Sequence, residues 1–290
     1  MNTNPHYFQV DTANYTYIFT FNEKNNTFSM DLGGRTRGCV SINAIHPESP
    51  LIKRMPERFN ASIGSIPHIY WDEKCALNKR LSTGTGTRHM LSTILSIIKK
   101  HFRWIKYMCY TDNSDIHCNG NTDVELYILY ISLNGKTWYE KYFNGYIEDE
   151  TLRNKYTAAI KQLYNPDAKI PFNILQDNIT ISDIDTIKTI YNSTTTYNDF
   201  FNKVLESVGR EKYCTYVKEW VRHMIEFLFG TNFFTTSWII DLSKITNIDF
   251  KTHNISPEEY EAKKIHFEKT IGGKKPKTLY HGPEEWWTDL

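Results

Sequence analysis

Long apolar segments are missing from this sequence. Runs rich in apolar residues, such as 225–230 and 238–242, are far shorter than the roughly 20 residues that a membrane-spanning helix requires. The segment before Phe8 has no basic stretch followed by an apolar one, which is the pattern of a secretory signal. We therefore expect no membrane span, and we expect an intracellular, cytoplasmic protein.

An excess of charge of either sign is also missing. Lysine and arginine number 34, aspartate and glutamate number 33, and the net charge is +1. Without an overall field, the chain has no means of attracting nucleic acid or an anionic membrane over its whole surface. Because the lysines are dispersed, nucleic-acid binding is the least favoured of the functions considered.

Several motifs with known chemistry are absent. The five cysteines are scattered with no Cys-x-x-Cys pair, which is typical of reduced thiols in a cytosolic chain. His117 and Cys118 are adjacent, and adjacent side chains seldom converge on one ion, so we expect no metal site. No Gly-x-Ser-x-Gly elbow supports a hydrolase, and no Gly-Lys-Ser/Thr loop or Gly-x-Gly-x-x-Gly segment supports ATP or NAD chemistry.

The sequence is rich in material for a core. Of its 290 residues, 40% are hydrophobic and 14% aromatic, which suits a folded protein of one large or two ordinary domains. Alternating or aromatic runs predict a series of strands, the first two of which form a hairpin across a polar turn. The predicted strands are 15–21, 27–32, 39–45, 65–72, 104–111 and, much later in the chain, 235–242.

Apolar residues at three- and four-residue spacing predict a helix over 85–101, so strand, helix and strand follow in order. This order predicts a parallel βαβ crossover. The predicted fold is α/β (α+β), with a mixed central sheet around that crossover in a domain of residues 1–165. Helical spacing further on predicts a mostly helical C-terminal domain over 166–270, and residues 271–290 form a flexible basic tail.

Two glycines lie at the junction between the segment that follows the predicted strand 65–72 and the predicted helix 85–101. Gly84 and Gly86 let consecutive backbone N–H groups turn towards one anion. Arg88, in the first helical turn, opposes the helix dipole unless it has an anionic partner. The segment therefore predicts phosphate binding by Gly84, Thr85, Gly86, Thr87 and Arg88. A structural alternative stands beside it, in which the glycines form a tight loop and Thr85 or Thr87 caps the helix.

The glycine segment resembles the GNAT superfamily of acyl-coenzyme A-dependent N-acetyltransferases. The family signature is a strand, a Gln/Arg-x-x-Gly-x-Gly/Ala loop on the coenzyme pyrophosphate, a long helix, a strand and an aromatic-rich helix. Residues 81–86 match the loop and 137–143 resemble the aromatic helix, within a resemblance over about 40–146. It implies acetyl-CoA as the cofactor and Tyr139 near the departing thiolate. The match departs at Leu81, where the family has Gln or Arg, and at 142–143, where it has Gly-Phe.

Acyl transfer from a thioester to an amine needs a base for the amine and an acid for the thiolate. Asp72 and Glu73 are the candidate bases, and Tyr139 is the candidate acid. Each also has a structural explanation. The two carboxylates suit a solvated strand end, and the tyrosine suits packing among the neighbouring aromatic residues.

A polar group of residues follows the predicted strand 104–111. In open α/β sheets, ligands bind at the carboxyl ends of the strands, so this group is a candidate for a binding site. An ordinary capping loop is the alternative. The group consists of Asp112, Ser114, Asp115, His117 and Cys118.

Two functions follow from these observations. The first is an acyl-CoA-dependent N-acyltransferase, or a degenerate relative, acting on an amine that the sequence does not identify. The second is a non-catalytic viral interaction or virion structural protein, located in the host cytoplasm or the virus particle. Residues 71–118 are similar to a set of large-DNA-virus proteins, and Trp286 and Trp287, after a flexible linker, suit docking on a protein partner.

Overall fold

A computed structural model describes residues 5–33, 39–49, 63–82, 84–112, 114–118, 122–176, 183–230 and 236–271. The described chain forms two compact units. The first contains the residues up to Tyr110 and those from Ile239 onward, and the second contains Thr111–Trp238. This division differs from the one placed at residue 165, because the chain leaves the first unit and later returns to it. Trp286 and Trp287 lie outside the described residues.

The strands and helices are numbered in chain order. The strands are β1 (His6–Thr12), β2 (Thr16–Lys24), β3 (Thr27–Leu32), β4 (Val40–Ile45), β5 (Ile63–Ile69), β6 (Tyr107–Thr111), β7 (Asp115–Cys118), β8 (Thr122–Glu125), β9 (Tyr146–Ile147), β10 (Ser237–Asp241) and β11 (Phe250–Ile255). The helices are α1 (Thr85–His101), α2 (Leu126–Asn134), α3 (Trp138–Phe143), α4 (Glu150–Leu163), α5 (Phe172–Gln176), α6 (Ile184–Asn192), α7 (Tyr197–Val208), α8 (Arg210–Val217), α9 (Val221–Phe229) and α10 (Pro257–Ile271).

The first unit is built on a mixed sheet. Its strands follow the order β11-β1-β2-β3-β4-β5-β6-β10, with antiparallel pairs from β11 to β5 and a parallel pair between β5 and β6. The predicted hairpin is confirmed as β2 and β3, which pair from Lys24↔Thr27 onward. Asn25 and Asn26 at its turn have φ of 53° and 60°, a left-handed conformation that asparagine tolerates better than most residues.

The predicted helix over 85–101 is confirmed as α1, which connects β5 to β6. Its apolar residues at 90, 91, 94, 95, 97 and 98 are all buried, as the spacing requires. At its carboxyl end Lys99 Nζ donates to the carbonyl oxygens of Ser243 and Ile245 at 3.4 and 3.2 Å, which ties the helix to the segment after β10. The parallel βαβ crossover expected from the sequence is therefore present.

Pairing between the two parallel strands stops soon after it begins. Ile63, Gly64 and Ser65 pair with Tyr107, Met108 and Cys109, and within these two described strands no pair follows. The rest of β5 stays with β4, where His68 and Ile69 pair with Ser41 and Val40 beyond a register shift. The strands approach closely at Gly64, where a Cβ would lie 2.9 Å from Met108 Sδ. The carboxyl half of β5 is thus released from β6.

The second unit is mostly helical. It contains α2–α9, the hairpin of β7 and β8, and the two-residue β9, which continues into a bond from Glu148 N to the oxygen of Ser237 at the start of β10. Asn198 of α7 donates to the carbonyl oxygens of Ser132 and Leu133 at 3.1 and 3.0 Å and so caps the carboxyl end of α2. The helical spacing of the sequence over 211–229 corresponds to two helices, α8 and α9. The strand predicted over 235–242 is confirmed as β10, and β11 is a strand that the sequence did not predict.

The expectation of reduced thiols is wrong for four of the five cysteines. Cys39 and Cys75 form a disulfide in the first unit, and Cys118 and Cys214 form one in the second, with Cα atoms 5.9 and 5.5 Å apart. The partners are separated by 36 and 96 residues, so neither pair forms a local motif. The fold brings them together, and Cys109 belongs to neither bridge.

Across the described part of the chain, every helix is too short or too polar to cross a lipid bilayer.

Candidate functional site

The amino terminus of α1 is the part of the glycine segment that is suited to an anion. The N-cap is Gly84, with φ of 60° and no side chain to satisfy the helix, and Arg88 N bonds to the Gly84 carbonyl oxygen at 2.9 Å. The first N–H groups of a helix have no acceptor within it, and the first turn of α1 contains no acidic residue. Because Gly84 occupies the N-cap position, capping by the side chain of Thr85 or Thr87 is excluded.

The second glycine of the segment is required by packing. A Cβ at Gly86 would lie 2.8 Å from Leu81 Cγ and 3.1 Å from Ser82 Oγ. Leu81, which takes the place of the family's Gln or Arg, is only 2% exposed. Its side chain therefore packs as an apolar support beneath the first turn of α1 and is not exposed to bind a ligand.

A chain of hydroxyl groups lies beside the start of α1. Tyr15 OH and Ser82 Oγ share a hydrogen bond of 3.2 Å, and Ser82 Oγ and Thr85 Oγ1 share one of 2.9 Å. Trp71 Nε1 donates to the Ser82 carbonyl oxygen at 3.2 Å and holds this segment in place. Ser82 and Thr85 are exposed, so their hydroxyl groups are available to a bound molecule.

Positive charge surrounds the same place. Lys79 Nζ lies 4.7 Å from the centre of the Tyr15 ring. Burial, followed by the charges of Lys79 and Arg88, lowers the pKa of His89. Tyr17 OH and His89 Nδ1 share a hydrogen bond of 3.0 Å, and burial raises the pKa of Tyr17 strongly, so the phenol keeps its proton.

We call Tyr15, Lys79, Ser82, Thr85, Arg88 and His89 the α1 cluster. It combines a helix amino terminus, hydroxyl donors and two cations, which is the donor set of a phosphate or diphosphate site. Of the predicted binding residues, Gly84, Gly86, Thr85 and Arg88 surround the helix start. Thr87 differs, because it is 7% exposed and its Oγ1 is buried with no hydrogen-bond partner among the described atoms.

The two candidate bases, Asp72 and Glu73, are engaged in the loop between β5 and α1. Asp72 Oδ1 accepts from Lys74 N at 2.8 Å, and Glu73 forms an ion pair with Arg80 at 3.5 Å. The Glu73 carbonyl oxygen also accepts from Leu81 N at 2.7 Å. Both residues therefore shape the approach to the glycine segment through local contacts.

Tyr139, the candidate acid, lies in the second unit on α3. A reciprocal capping box of Thr137 and Glu140 fixes the start of this helix, with bonds of 3.2 and 2.7 Å. Tyr139 is 5% exposed and packs edge-on against Trp138, so the predicted aromatic packing is present. Burial and the charge of Asp112 raise its pKa strongly, and a hydrogen bond with the Ser114 side chain lowers it.

The same serine connects Tyr139 to a buried carboxyl group. Asp112 is 4% exposed, and its Oδ1 accepts from Ser114 N at 3.3 Å. Burial raises the pKa of Asp112 to about 6, against the hydrogen bonds from Ser114 that lower it. Asp112, Ser114 and Tyr139 thus form a chain of two buried side chains and a half-buried serine, which we call the Asp112 chain.

Two other polar residues of the group after β6 belong to the β7 strand. Asp115 begins β7, and Cys118 ends that strand in its disulfide with Cys214. Asp112 and Ser114, which the sequence placed in one group, are in contact, but the sequence gave no signal that Tyr139 would join them. Within the described residues, no group of three or more His, Cys, Asp or Glu side chains could hold a metal ion.

The predicted site residues are divided between the units. Asp72, Glu73 and the glycine segment belong to the first unit, and Tyr139 belongs to the second. No family model, curated protein sequence or solved structure matches this chain.

Proposed function

We propose that the protein is an acyl-CoA-dependent N-acyltransferase or a degenerate relative of one, and that the α1 cluster binds the pyrophosphate of acetyl-CoA. The observation that carries this proposal is the amino terminus of α1. It is capped by a glycine, has no acidic residue in its first turn and lies among Lys79, Arg88 and hydroxyl groups. Backbone N–H groups and cations in this arrangement favour a diphosphate.

The parting of β5 and β6 supports the same proposal. Beyond Ser65, the β6-facing backbone groups of β5 have no partner on that strand within the described residues. Coenzyme A carries an extended arm with amide groups, and such an arm can bond to a free strand edge. The released half of β5 leads through the loop of Asp72 and Glu73 into the glycine segment, so phosphate and amide recognition follow one another along the chain.

The chemical roles come from the resemblance. Tyr139 is proposed as the acid for the departing thiolate, and Asp72 or Glu73 as the base for the acceptor amine. Tyr139 is supported in this role by its bond to Ser114, which gives the phenol a proton-carrying neighbour. The loop contacts of Asp72 and Glu73 compete with a role as base, so a base elsewhere in the chain is an open alternative.

Thermal unfolding with acetyl-CoA tests the proposal. A ligand that binds only the folded state raises its stability, by about 2.7 kcal/mol at a hundred times Kd. We expect acetyl-CoA to raise Tm, and Arg88→Ala and Lys79→Ala to reduce the increase. Lys203→Ala is the matched control, since Lys203 is 53% exposed on α7 in the other unit. An unchanged Tm at millimolar acetyl-CoA would contradict the proposed coenzyme site.

The second candidate is a non-catalytic viral interaction or virion structural protein. The observation that favours it is the disulfide in each unit, because cross-links suit a protein that persists where thiols are oxidised, as on or in a virus particle. The buried Leu81, in place of the polar residue of the family, also suits a protein that has the fold but no catalytic activity. Under this proposal, variants at Trp286 and Trp287 lose a protein partner in pull-downs, and the protein is found in purified particles.

A further inference from the structure

The segment between β5 and the start of α1 carries part of the α1 cluster. We call its residues 70–82 the anion loop, because Lys79 lies within it. Leu77 N donates to the Thr16 carbonyl oxygen at 2.7 Å, and Asn78 Oδ1 accepts from Thr16 N at 3.0 Å. These bonds to β2 involve the two residues just before Lys79. The position of that cation therefore depends on how the anion loop is anchored.

A disulfide anchors the same loop to β4. Cys75 lies in the middle of the loop, and its partner Cys39 lies immediately before β4, with the two Cα atoms 5.9 Å apart. Tyr70 N donates to the Cys39 carbonyl oxygen at 2.7 Å, so the loop leaves β5 beside the cysteine that holds its middle. Gly33 leaves room for the bridge, since a Cβ there would lie 2.7 Å from Cys39 Sγ.

The other anchors of the anion loop are weaker or lie at its end. The side-chain bond to β2 is exposed to water. Arg80, which pairs with Glu73, is 67% exposed, and ion pairs in such a setting contribute little to stability. Leu81 is different, because its packing against Gly86 fixes the end of the loop independently of the bridge. Opening of the bridge should therefore free residues 72–80 and leave the start of α1 in place.

We propose that the Cys39–Cys75 disulfide is a redox control on the α1 cluster. While the bridge is closed, the anion loop holds Lys79 beside Tyr15. When the bridge is reduced, residues 72–80 move away and the cluster loses a cation that faces the bound anion. This inference rests on the proposed binding of a diphosphate at the cluster. It adds the condition that the site is complete only where disulfides persist.

Reduction of the bridge by a dithiol follows ordinary thiol–disulfide exchange. One thiolate of the dithiol attacks one cysteine sulfur, the sulfur–sulfur bond breaks, and the other cysteine leaves as a thiolate that takes up a proton. The second thiol of the reductant then gives up its proton and displaces the first cysteine, so two cysteine thiols and one cyclic disulfide result. Cys39 and Cys75 are 1% and 0% exposed, so this attack requires the loop to open first.

Binding and reduction are therefore coupled in both directions. A diphosphate that contacts Lys79 favours the closed loop, so it should slow the attack on the bridge. By the same linkage, the chain with an open bridge should bind the diphosphate more weakly. Coupling between two sites is commonly 5- to 150-fold, and we expect roughly 10-fold for the loss of one cation.

The rate of reduction in the full chain tests this coupling. Dithiothreitol is added to the oxidised protein with and without inorganic pyrophosphate, and free thiols are alkylated and located by mass spectrometry at successive times. We expect pyrophosphate to slow the appearance of the Cys39 and Cys75 thiols by roughly 10-fold. Cys118 and Cys214 are the internal control, since their bridge belongs to the second unit and should be reduced at an unchanged rate. Equal rates for the first bridge with and without bound pyrophosphate overturn the proposal.

Affinity gives the reverse measurement. In calorimetric titrations with pyrophosphate, Cys39→Ala with Cys75→Ala should lower the affinity roughly 10-fold, whereas Cys118→Ala with Cys214→Ala is the matched control and should keep it. Hydrogen exchange separates release of the loop from general unfolding. The amide of Leu77 should lose protection when the first bridge is absent, while the amides of β3 keep theirs. A protected Leu77 amide, or loss of protection throughout the sheet, contradicts the inference.

Lys79→Ala shows whether the redox effect acts through this cation. In the oxidised chain it should lower the affinity for pyrophosphate by the same factor, and reduction should then have little further effect. Unchanged affinity of the reduced parent chain contradicts the inference alone. If neither pyrophosphate nor acetyl-CoA binds the oxidised chain, the proposed function is wrong, and hydrogen exchange at Leu77 still decides whether the bridge holds the loop.

Discussion

The side chain of Leu81 lies against Gly86, so closely that a Cβ on the glycine would be 2.8 Å from Leu81 Cγ and 3.0 Å from Cδ1. The two residues fix the entry of the chain into α1 by apolar packing. The family that the sequence resembles has a polar residue at the position of Leu81. Under the proposed function, recognition of the anion falls to Lys79, Ser82, Thr85 and Arg88, which lie around the same helix start.

Gly86→Ala is expected to destabilise the protein by about 1–3 kcal/mol, because the new methyl group forces Leu81 out of its place. Leu81→Ala in the same chain removes the clash, so the double variant loses less stability than the sum of the single ones. Urea unfolding measures all three. Gly209→Ala is the control, since that glycine has φ of +76° but nothing within 4 Å of a Cβ, and its cost should not depend on Leu81. Additive losses at Gly86 and Leu81 would contradict the contact.

The cysteines can be counted by alkylation and mass spectrometry. In denaturant without reductant, we expect one of the five cysteines, Cys109, to be modified, and after reduction all five. Removing a native disulfide typically costs about 2–5 kcal/mol, so Cys118→Ala with Cys214→Ala should lower Tm clearly. Cys109→Ala is the control and should change Tm much less. Five modified cysteines before reduction would show that the pairs do not form.

Asp112 should make the protein more stable as the pH falls. Its pKa of about 6 in the folded protein exceeds 3.8, so the folded state binds more protons between pH 4 and 6, and the free energy of unfolding rises as pH decreases through that window. The whole effect amounts to about 3 kcal/mol. Asp112→Asn removes it, and the variant gains most relative to the parent at pH 7. Urea unfolding at a series of pH values gives the comparison.

Asp241 provides a control of opposite sign. Burial raises its pKa, but hydrogen bonds from Ser243 and the charges of Lys244 and Lys99 outweigh burial and lower it. Its stabilising contribution is present above the unfolded pKa and is lost as pH falls through the folded one. Asp241→Asn should therefore cost stability at pH 7 and little in acid. The same sign of pH dependence for both variants would rule out the assignment at Asp112.

Tyr156→Phe is expected to destabilise the second unit by about 1–3 kcal/mol. The Tyr156 hydroxyl donates to Glu140, whose carboxylate also accepts from Thr137 N in the capping box of α3. Burial raises the pKa of Glu140, and the bonds from Thr137 and Tyr156 oppose that rise. Loss of the hydroxyl should thus raise the pKa further and cost more stability at pH 8 than at pH 4. Tyr164→Phe, at a residue 45% exposed, is the control for urea unfolding.

Local patterns predicted the local elements well. The burial of Phe28, Met30 and Leu32 on alternate residues of β3 follows the alternation read from the sequence, and α1 follows its three- and four-residue spacing. These features depend on neighbours within a few residues. The division at 165 had no such basis, because nothing local in β10 or β11 shows that these strands join a sheet begun at the other end of the chain.

The candidate sites show the same difference. The glycine segment could be identified from the sequence because its residues are continuous. Tyr15 is 67 residues from Ser82 in the chain, and nothing in its local sequence distinguishes it from other aromatic residues of strands. The cysteine pairs were missed for the same reason, since each is brought together by the fold. Asp112 and Ser114 were grouped because they are neighbours, but their meeting with Tyr139 depends on how α3 packs in its unit.

One edge of the sheet in the first unit is formed by β11, the last strand in chain order. β11 pairs with β1 from Tyr7↔Ile255 to Thr12↔Phe250, at the edge of the sheet opposite β6 and β10. During synthesis, the backbone groups of β1 on that edge stay unpaired until the residues up to β11 have been synthesised. The nascent protein therefore carries an open edge for most of its translation, and a chaperone that covers strand edges would act before residue 250 emerges.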